Sequence, residues 1–407
     1  MYNDFADKRI IVFGAGNIGS IVRDVALSFN LNVTGFIDNN VNKQNNSYWG
    51  LPVYSVDSFV ACYDNSAIVV VSIFNKYDAE RIINNLKKDY VVISDKNVFY
   101  YEEFYEKLIE GMSDEDSYQA MYKAYFNEML TKEECDFTEE KDLCGINITE
   151  KRERKVIISL TSFPARYRTL HYCIKSLLNQ SYKPDKIILY ISEQEADFEE
   201  EKFVTMTKYG LEIKIVPGNL KSHKKYYYVM QEYPDDVIIT VDDDIIYHKN
   251  TIDYLIKSYA KYPYYISAPH INIIELKDEK SLKPFLEYDY CRESCEPSMS
   301  FLPIGVSGVL YPPHSLHDDV FNLKLINEFC PECDDTWLKA MSVIKGTKVA
   351  FVSEYGGKAN NNIFSSQKKS INKDWFAKGY QKQLMLENIL RKYNVPLTVF
   401  AYKDVKK

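Results

Sequence analysis

The sequence predicts an α/β chain built as two parallel-sheet domains in tandem. Three observations carry this. Short, nearly all-apolar stretches alternate with amphipathic helical ones from residue 9 to about 105. The same alternation restarts at Lys155. Between the two series the charge changes abruptly, with a net −1 over residues 1–100, −11 over 101–150 and +4 over 151–407. The predicted division is 1–105, a helical and acidic linker at 106–150, and 151–400.

Bulk properties set bounds on function. The 407 residues suffice for a core in each domain, and 46% apolar with 27% charged residues is the balance of a globular protein. The longest apolar run, 67–74, falls far short of the ~18 residues of a membrane-spanning helix. The first apolar stretch, 10–13, runs into a glycine motif with no cleavage site behind it, so it does not read as a signal peptide. The expected address is the cytoplasm or the inner face of a membrane. Eight cysteines without a secretory signal read as reduced thiols. Cys291/Cys295 and Cys330/Cys333 lack the setting of a zinc knuckle, and buried thiols are the expectation. The mildly basic C-terminal domain suits an anionic small molecule and lacks the basic stripe of a nucleic-acid binder.

In the first domain, strands are predicted at 10–13, 33–38, 67–72 and 91–93. Gly14, Gly16 and Gly19 follow the first strand and open a helix, the setting in which glycines let a phosphate approach a helix N-terminus. Asp38 closes the next strand at the distance where an acid accepts bonds from a ribose. Residues 35–40 and 50–54 add a likeness: this unit resembles the Rossmann-like nucleotide-sugar-binding domains at the front of some bacterial sugar acyltransferases and glycan-assembly enzymes. An accessory binding domain is the leading reading, and an empty relic of the fold is the plain one. A helix is predicted at 113–134, with Ser113 and Asp116 as a capping box, packing on a domain or on a second copy of the chain.

In the second domain, strands are predicted at 156–161, 186–192, 212–216 and 237–241, with a helix at 168–180. The last strand runs directly into Asp242, Asp243 and Asp244. Three acids at the carboxyl end of a buried parallel strand repel one another unless a cation is present, and hard carboxylate oxygens suit Mn2+ or Mg2+. A turn or capping cluster is the plain alternative.

The surroundings make this specific. Ile158–Arg166, Ser176–Ser181, His223–Tyr226, Asp242–Asp244 and Cys333–Leu338 occur in the order found in bacterial GT-A glycosyltransferases related to family 2, which residues 155–350 resemble. The resemblance implies a GT-A nucleotide-diphospho-sugar transferase fold. It implies Asp242 and Asp244 as metal ligands, and Thr161, Phe163, Arg166, Lys224, Lys225 and Asp243 toward the donor. Asp335 is then the general base, with Asp334 beside it tuning its pKa or binding the acceptor. Read from the residues alone, Asp334 and Asp335 equally suit the start of a helix. Residues 303–313 face donor or acceptor by the resemblance, or form a plain glycine-containing strand near the sheet edge.

The expected function is therefore metal-dependent sugar transfer from a nucleotide-diphosphate donor to a glycan or lipid-linked acceptor of surface-glycan type, inverting and non-processive. The Gln-x-x-Arg-Trp signature of processive synthases is absent, and residues 191–193 depart from the base-contacting run of many relatives. The tail at 375–393 mixes basic and apolar residues, with packing preferred over contact with anionic lipid. Two other readings stand beside this one: an NAD-dependent sugar oxidoreductase or epimerase, and a non-catalytic nucleotide-sugar-binding scaffold.

Overall fold

The computed structural model describes residues 5–110, 144–353 and 361–401, apart from 6, 49, 63–66, 74–75, 90–93, 196–197, 199–202, 292–293 and 363–374. The predicted strand at 91–93, the predicted helix at 113–134 and most of the acidic linker lie outside the described residues. The chain divides into two units, residues 1–140 and 141–407.

In the first unit, β1 (Arg9–Phe13) leads to α1 (Asn17–Ser28), β2 (Asn32–Ile37), β3 (Ser47–Tyr48) and β4 (Leu51–Tyr54). Then follow α2 (Val56–Ala61), β5 (Ala67–Val71), α3 (Lys76–Asp89), β6 (Val98–Tyr100) and α4 (Tyr101–Ile109). The sheet order is β3-β4-β2-β1-β5-β6, parallel except for the β3–β4 hairpin. Every residue of β5, and β1 from Ile10 onward, is buried. Such unbroken apolar runs are stable only where both sheet faces are covered. Because β1 has β2 on one side and β5 on the other, the chain reverses direction across the sheet at its carboxyl end, where the glycine motif lies.

The second unit begins with β7 (Val156–Thr161), α5 (Tyr167–Leu178), β8 (Lys186–Ser192), α6 (Val204–Lys208), β9 (Leu211–Val216), α7 (Lys224–Glu232) and β10 (Val237–Thr240). Next come β11 (Ile245–Ile246), α8 (Thr251–Lys261), β12 (Ile266–Ala268) and the short strands β13 (Ile271–Ile273), β14 (Leu276–Asp278), β15 (Ser281–Leu282), β16 (Asp289–Tyr290) and β17 (Phe301–Pro303). The unit closes with β18 (Val309–Tyr311), α9 (Leu323–Phe329), α10 (Asp334–Lys345), β19 (Val349–Phe351), β20 (Asn361–Asn362) and α11 (Trp375–Lys392).

The main sheet has the order β19-β12-β18-β10-β7-β8-β9. Strands β7 to β10 are parallel, as their apolar sequences predict. The sheet as a whole is mixed, because β18 runs antiparallel to both β10 and β12. The stretch 303–313 therefore does not supply an edge strand; it places β18 in the sheet interior. The switch point falls between β10 and β7, whose carboxyl ends meet side by side.

A core of Tyr226, Phe301, Trp337, Met341, Ile389 and Phe400 joins the helical layer to the sheet. The tail helix α11 buries Leu386, Ile389 and Leu390 within this unit. Among the described residues no helix is long and apolar enough to cross a membrane. Cys330 and Cys333 are buried thiols, whereas Cys291 and Cys295 are only half-buried, with their sulfurs 3.3 Å apart.

Candidate active site

Strand β10 is followed by Val241 and then the three acids, and the ladder to β7 continues through Val241 N–H to the Ser159 carbonyl at 3.0 Å. The Asp242 backbone is fixed on both sides. Its N–H donates to the Tyr247 hydroxyl at 2.8 Å, and its carbonyl accepts from Cys173 Sγ at 3.2 Å. Its carboxylate, with 30% of the side chain exposed, meets Lys225 Nζ at 2.7 Å.

Asp243 points the other way, into the protein. It accepts from Ser162 Oγ at 2.5 Å and from Arg166. The second arm of the same guanidinium lies 2.8 Å from Asp244 Oδ2. Burial opposes the Arg166 charge, but the carboxylates of Asp243 and Asp244 outweigh it and hold the guanidinium above its ordinary pKa. The Phe163 ring lies 5.1 Å from the same group. Arg166 and Asp243, expected to face a donor, are thus paired with each other.

Helix α10 brings the second acidic pair to this point. Asp334 and Asp335 occupy its first turn, and Cys333, not an aspartate, is the residue at the cap, without a side-chain capping bond. Asp334 Oδ2 lies 2.8 Å from Lys225 Nζ. Burial works against ionisation of Asp334, yet Lys225 prevails and draws its pKa down to about 2. Asp335 goes the opposite way. Burial and the adjacent Asp334 carboxylate push it up to about 7, against the pull of Lys225. Lys225 itself is held well above its ordinary value, its burial outweighed by Asp242 and Asp334.

Gly305 marks the centre. A Cβ at this position would sit 3.2 Å from Lys225 Nζ, 3.3 Å from Asp335 Oδ1 and 3.4 Å from Asp242 Oδ1. The structure therefore brings Asp242, Lys225, Asp334 and Asp335 together around one small residue. It does not bring Lys224 to them as a free cation. Lys224 is 1% exposed and donates to Glu195 at 2.6 Å, with the Ser162 carbonyl at 3.4 Å. A buried ammonium needs a counter-ion, and Glu195 is that partner. Thr161 closes β7 by donating from Oγ1 to the Tyr190 carbonyl at 2.8 Å.

Sequence reasoning missed Ser162, Glu195 and Gly305 as site residues. Ser162 lay inside the quoted Ile158–Arg166 motif, and Gly305 inside the small-residue segment. Glu195 carried no signal, because its partner is 29 residues away.

In the first unit, Gly14 adopts φ +110, and a side chain there would strike Ser72 Oγ at 2.8 Å. Gly19 packs so tightly that a Cβ would lie 1.9 Å from the Gly14 carbonyl oxygen, whereas Gly16 faces open space. Asp38 does not stand free for a ribose. Its oxygens accept the Ala15 N–H and the Asn40 N–H, each at 2.8 Å, and Lys43 Nζ is 3.3 Å away. As placed, Asp38 braces the glycine loop.

Asp242 at the β10 end and Asp335 at the start of α10 thus meet at the carboxyl end of the second unit's mixed sheet. Residues 156–297 match the family model for glycosyl transferase family 2, and residues 9–86 match that for the PglD N-terminal domain. No match is found among curated proteins. Similar solved structures include glucosyl-3-phosphoglycerate synthase from Mycobacterium tuberculosis with Mn2+, UDP and glucosyl-3-phosphoglycerate, at 15% identity and TM-score 0.24 over 28% of this chain and 43% of that one. Others are S. aureus TarS 1–349, at 11% identity and TM-score 0.34 over 51% and 59%, and the mannosyltransferase PcManGT from Pyrobaculum calidifontis with GDP-Man and Mn2+, at 10% identity and TM-score 0.32 over 53% and 58%. The chain spans less than half the length of the first of these.

Proposed function

We propose that the second unit transfers a sugar from a nucleotide-diphosphate donor to a surface-glycan acceptor, glycan or lipid-linked, in single additions that invert the anomeric carbon. The observation that carries this is the meeting of Asp242, Lys225 and Asp335 around Gly305. A base of raised pKa thereby faces the residues suited to hold a diphosphate.

Asp335 takes the proton of the acceptor hydroxyl as that oxygen attacks, and a pKa near 7 matches the task. Asp334 stays ionised and orients the acceptor or tunes Asp335. Asp242 and Asp244 would hold Mn2+ or Mg2+. The donor set fits: both supply hard carboxylate oxygens, and both already attract cations, Lys225 and Arg166. Among the described residues no three His, Cys, Asp or Glu side chains gather as a metal cage, so of the protein's groups these two carboxylates would be the ones to hold the ion. When bound, the ion supplies positive charge against the departing nucleotide diphosphate. Thr161, Phe163 and Asp243 shape the donor side at the end of β7 and β10, with Lys225 as the neighbouring cation. In the first unit, Gly14, Gly16 and Gly19 offer a nucleotide or nucleotide-sugar site braced by Asp38.

The test is nucleotide release from a panel of nucleotide sugars, with glycan acceptors, under Mn2+, under EDTA, and in Asp242→Asn and Asp244→Ala variants. One donor should respond, in the metal-replete wild type alone. Release indifferent to EDTA and to both substitutions overturns the metal assignment.

A further inference from the structure

Between Lys221 and Lys225, every second residue reaches across to the segment that leads into α10. Lys221 pairs with Glu332, His223 Nε2 lies 2.7 Å from the Cys330 carbonyl oxygen, and Lys225 Nζ lies 2.8 Å from Asp334. The Lys221–Glu332 pair is nearly half exposed, at 49% and 42%, so solvent screens it. The contact between them is of another kind. His223 is fully buried, and its ring packs edge-on against Tyr226 at 5.6 Å.

The proton on this ring can be placed. A carbonyl oxygen only accepts, so Nε2 carries the hydrogen, and Nδ1 is left to accept from the Tyr226 hydroxyl at 3.0 Å. Burial holds the imidazole pKa below its ordinary value. Asp334 and the Cys330 carbonyl pull it upward, and Lys225 and Lys221 push it down. The ring is neutral at pH 7. Its acceptor, Cys330, ends α9 and stands four residues before Asp334. No side-chain cap bonds the backbone at the start of α10, so its first turn is held by Lys225 on Asp334 and, one turn earlier, by the grip of His223 on Cys330.

We infer that His223 is a positioning residue, whose Nε2–H bond to the Cys330 carbonyl fixes the turn that carries Asp335 into the site. This deepens the proposed function and rests on its assignment of Asp335 as the base. A glutamine amide presents an N–H of similar reach and polarity, whereas leucine presents none.

The experiment measures sugar transfer by wild type, His223→Leu, His223→Gln and Asp335→Asn, each checked for folding by thermal melting. His223→Leu should lose about ten- to a hundredfold in kcat, with donor KM within about twofold, and His223→Gln should recover most of that loss. In wild type with 15N-labelled histidine, the resonance absent from His223→Gln should show the Nε2–H tautomer and titrate below the ordinary imidazole value. Full activity in His223→Leu alongside an inactive Asp335→Asn overturns the positioning role and leaves the base in place. Full activity in Asp335→Asn overturns the base assignment and the positioning role together. A His223 resonance, assigned by its absence from His223→Gln, that titrates as a free imidazole also overturns the inference.

Discussion

Lys225 Nζ lies 2.7 Å from Asp242 Oδ1, in an ion pair whose lysine side chain is only 6% exposed. The same ammonium holds Asp334, so one cation ties the end of β10 to the start of α10. Lys225→Met leaves both carboxylates without it. The expected loss is about 3–5 kcal/mol, the scale for stranding buried charge, read as a fall in denaturation midpoint. A midpoint equal to that of wild type would show the pair to be energetically idle.

Asp335→Asn separates rate from stability. Transfer should fall by about 10²–10⁴ in kcat with donor affinity kept. Wild-type kcat should rise with pH along a limb near 7, where Asp335 loses its proton. The folded chain holds that proton more tightly than the unfolded chain does. Stability is therefore lost as pH rises from the ordinary carboxylate range through about 7. The asparagine variant should melt above wild type at about pH 8, with the gap narrowing by about pH 5. A gap of the opposite sign would refute the raised pKa.

Gly305→Ala tests crowding at the centre of the site. The added methyl meets Lys225, Asp335 and Asp242 at 3.2–3.4 Å, close enough that each must give way. We expect kcat to drop by about tenfold or more with little change in melting temperature. Unaltered turnover would mean that the three side chains relax freely.

Arg166→Lys retains a charge and loses the fork. A single ammonium cannot bond both Asp243 and Asp244 in the geometry the guanidinium uses. The variant should be destabilised by about 1–3 kcal/mol, measured by urea denaturation, and should gain more from added Mn2+ than wild type does. Equal gains would separate Arg166 from the metal-binding acids.

Much of this fold was legible because its strands are almost wholly apolar: Val156–Thr161, Lys186–Ser192 and Val237–Thr240 announce a covered parallel sheet. The acids stood out for the same reason, as charges directly after such a strand. What stayed hidden depends on partners distant in sequence. Nothing in the sequence pairs Lys224 with Glu195, or Arg166 with both Asp243 and Asp244. Strand β18 was missed as a central strand because three residues, Val309–Tyr311, carry too little pattern to reveal their neighbours.

The antiparallel insertion of β18 also bears on how this unit comes apart. The stretch matching glycosyl transferase family 2 stops at residue 297, before β17, β18 and β19. A chain cut there keeps the first acids but strips β18 from between β10 and β12. The backbone of β10 then becomes a raw, apolar edge, open to pairing with any passing strand. The strand that covers β10 is supplied only after the matched stretch, so a ribosome-bound chain ending at residue 297 would carry an unfinished, adhesive edge until β18 had emerged.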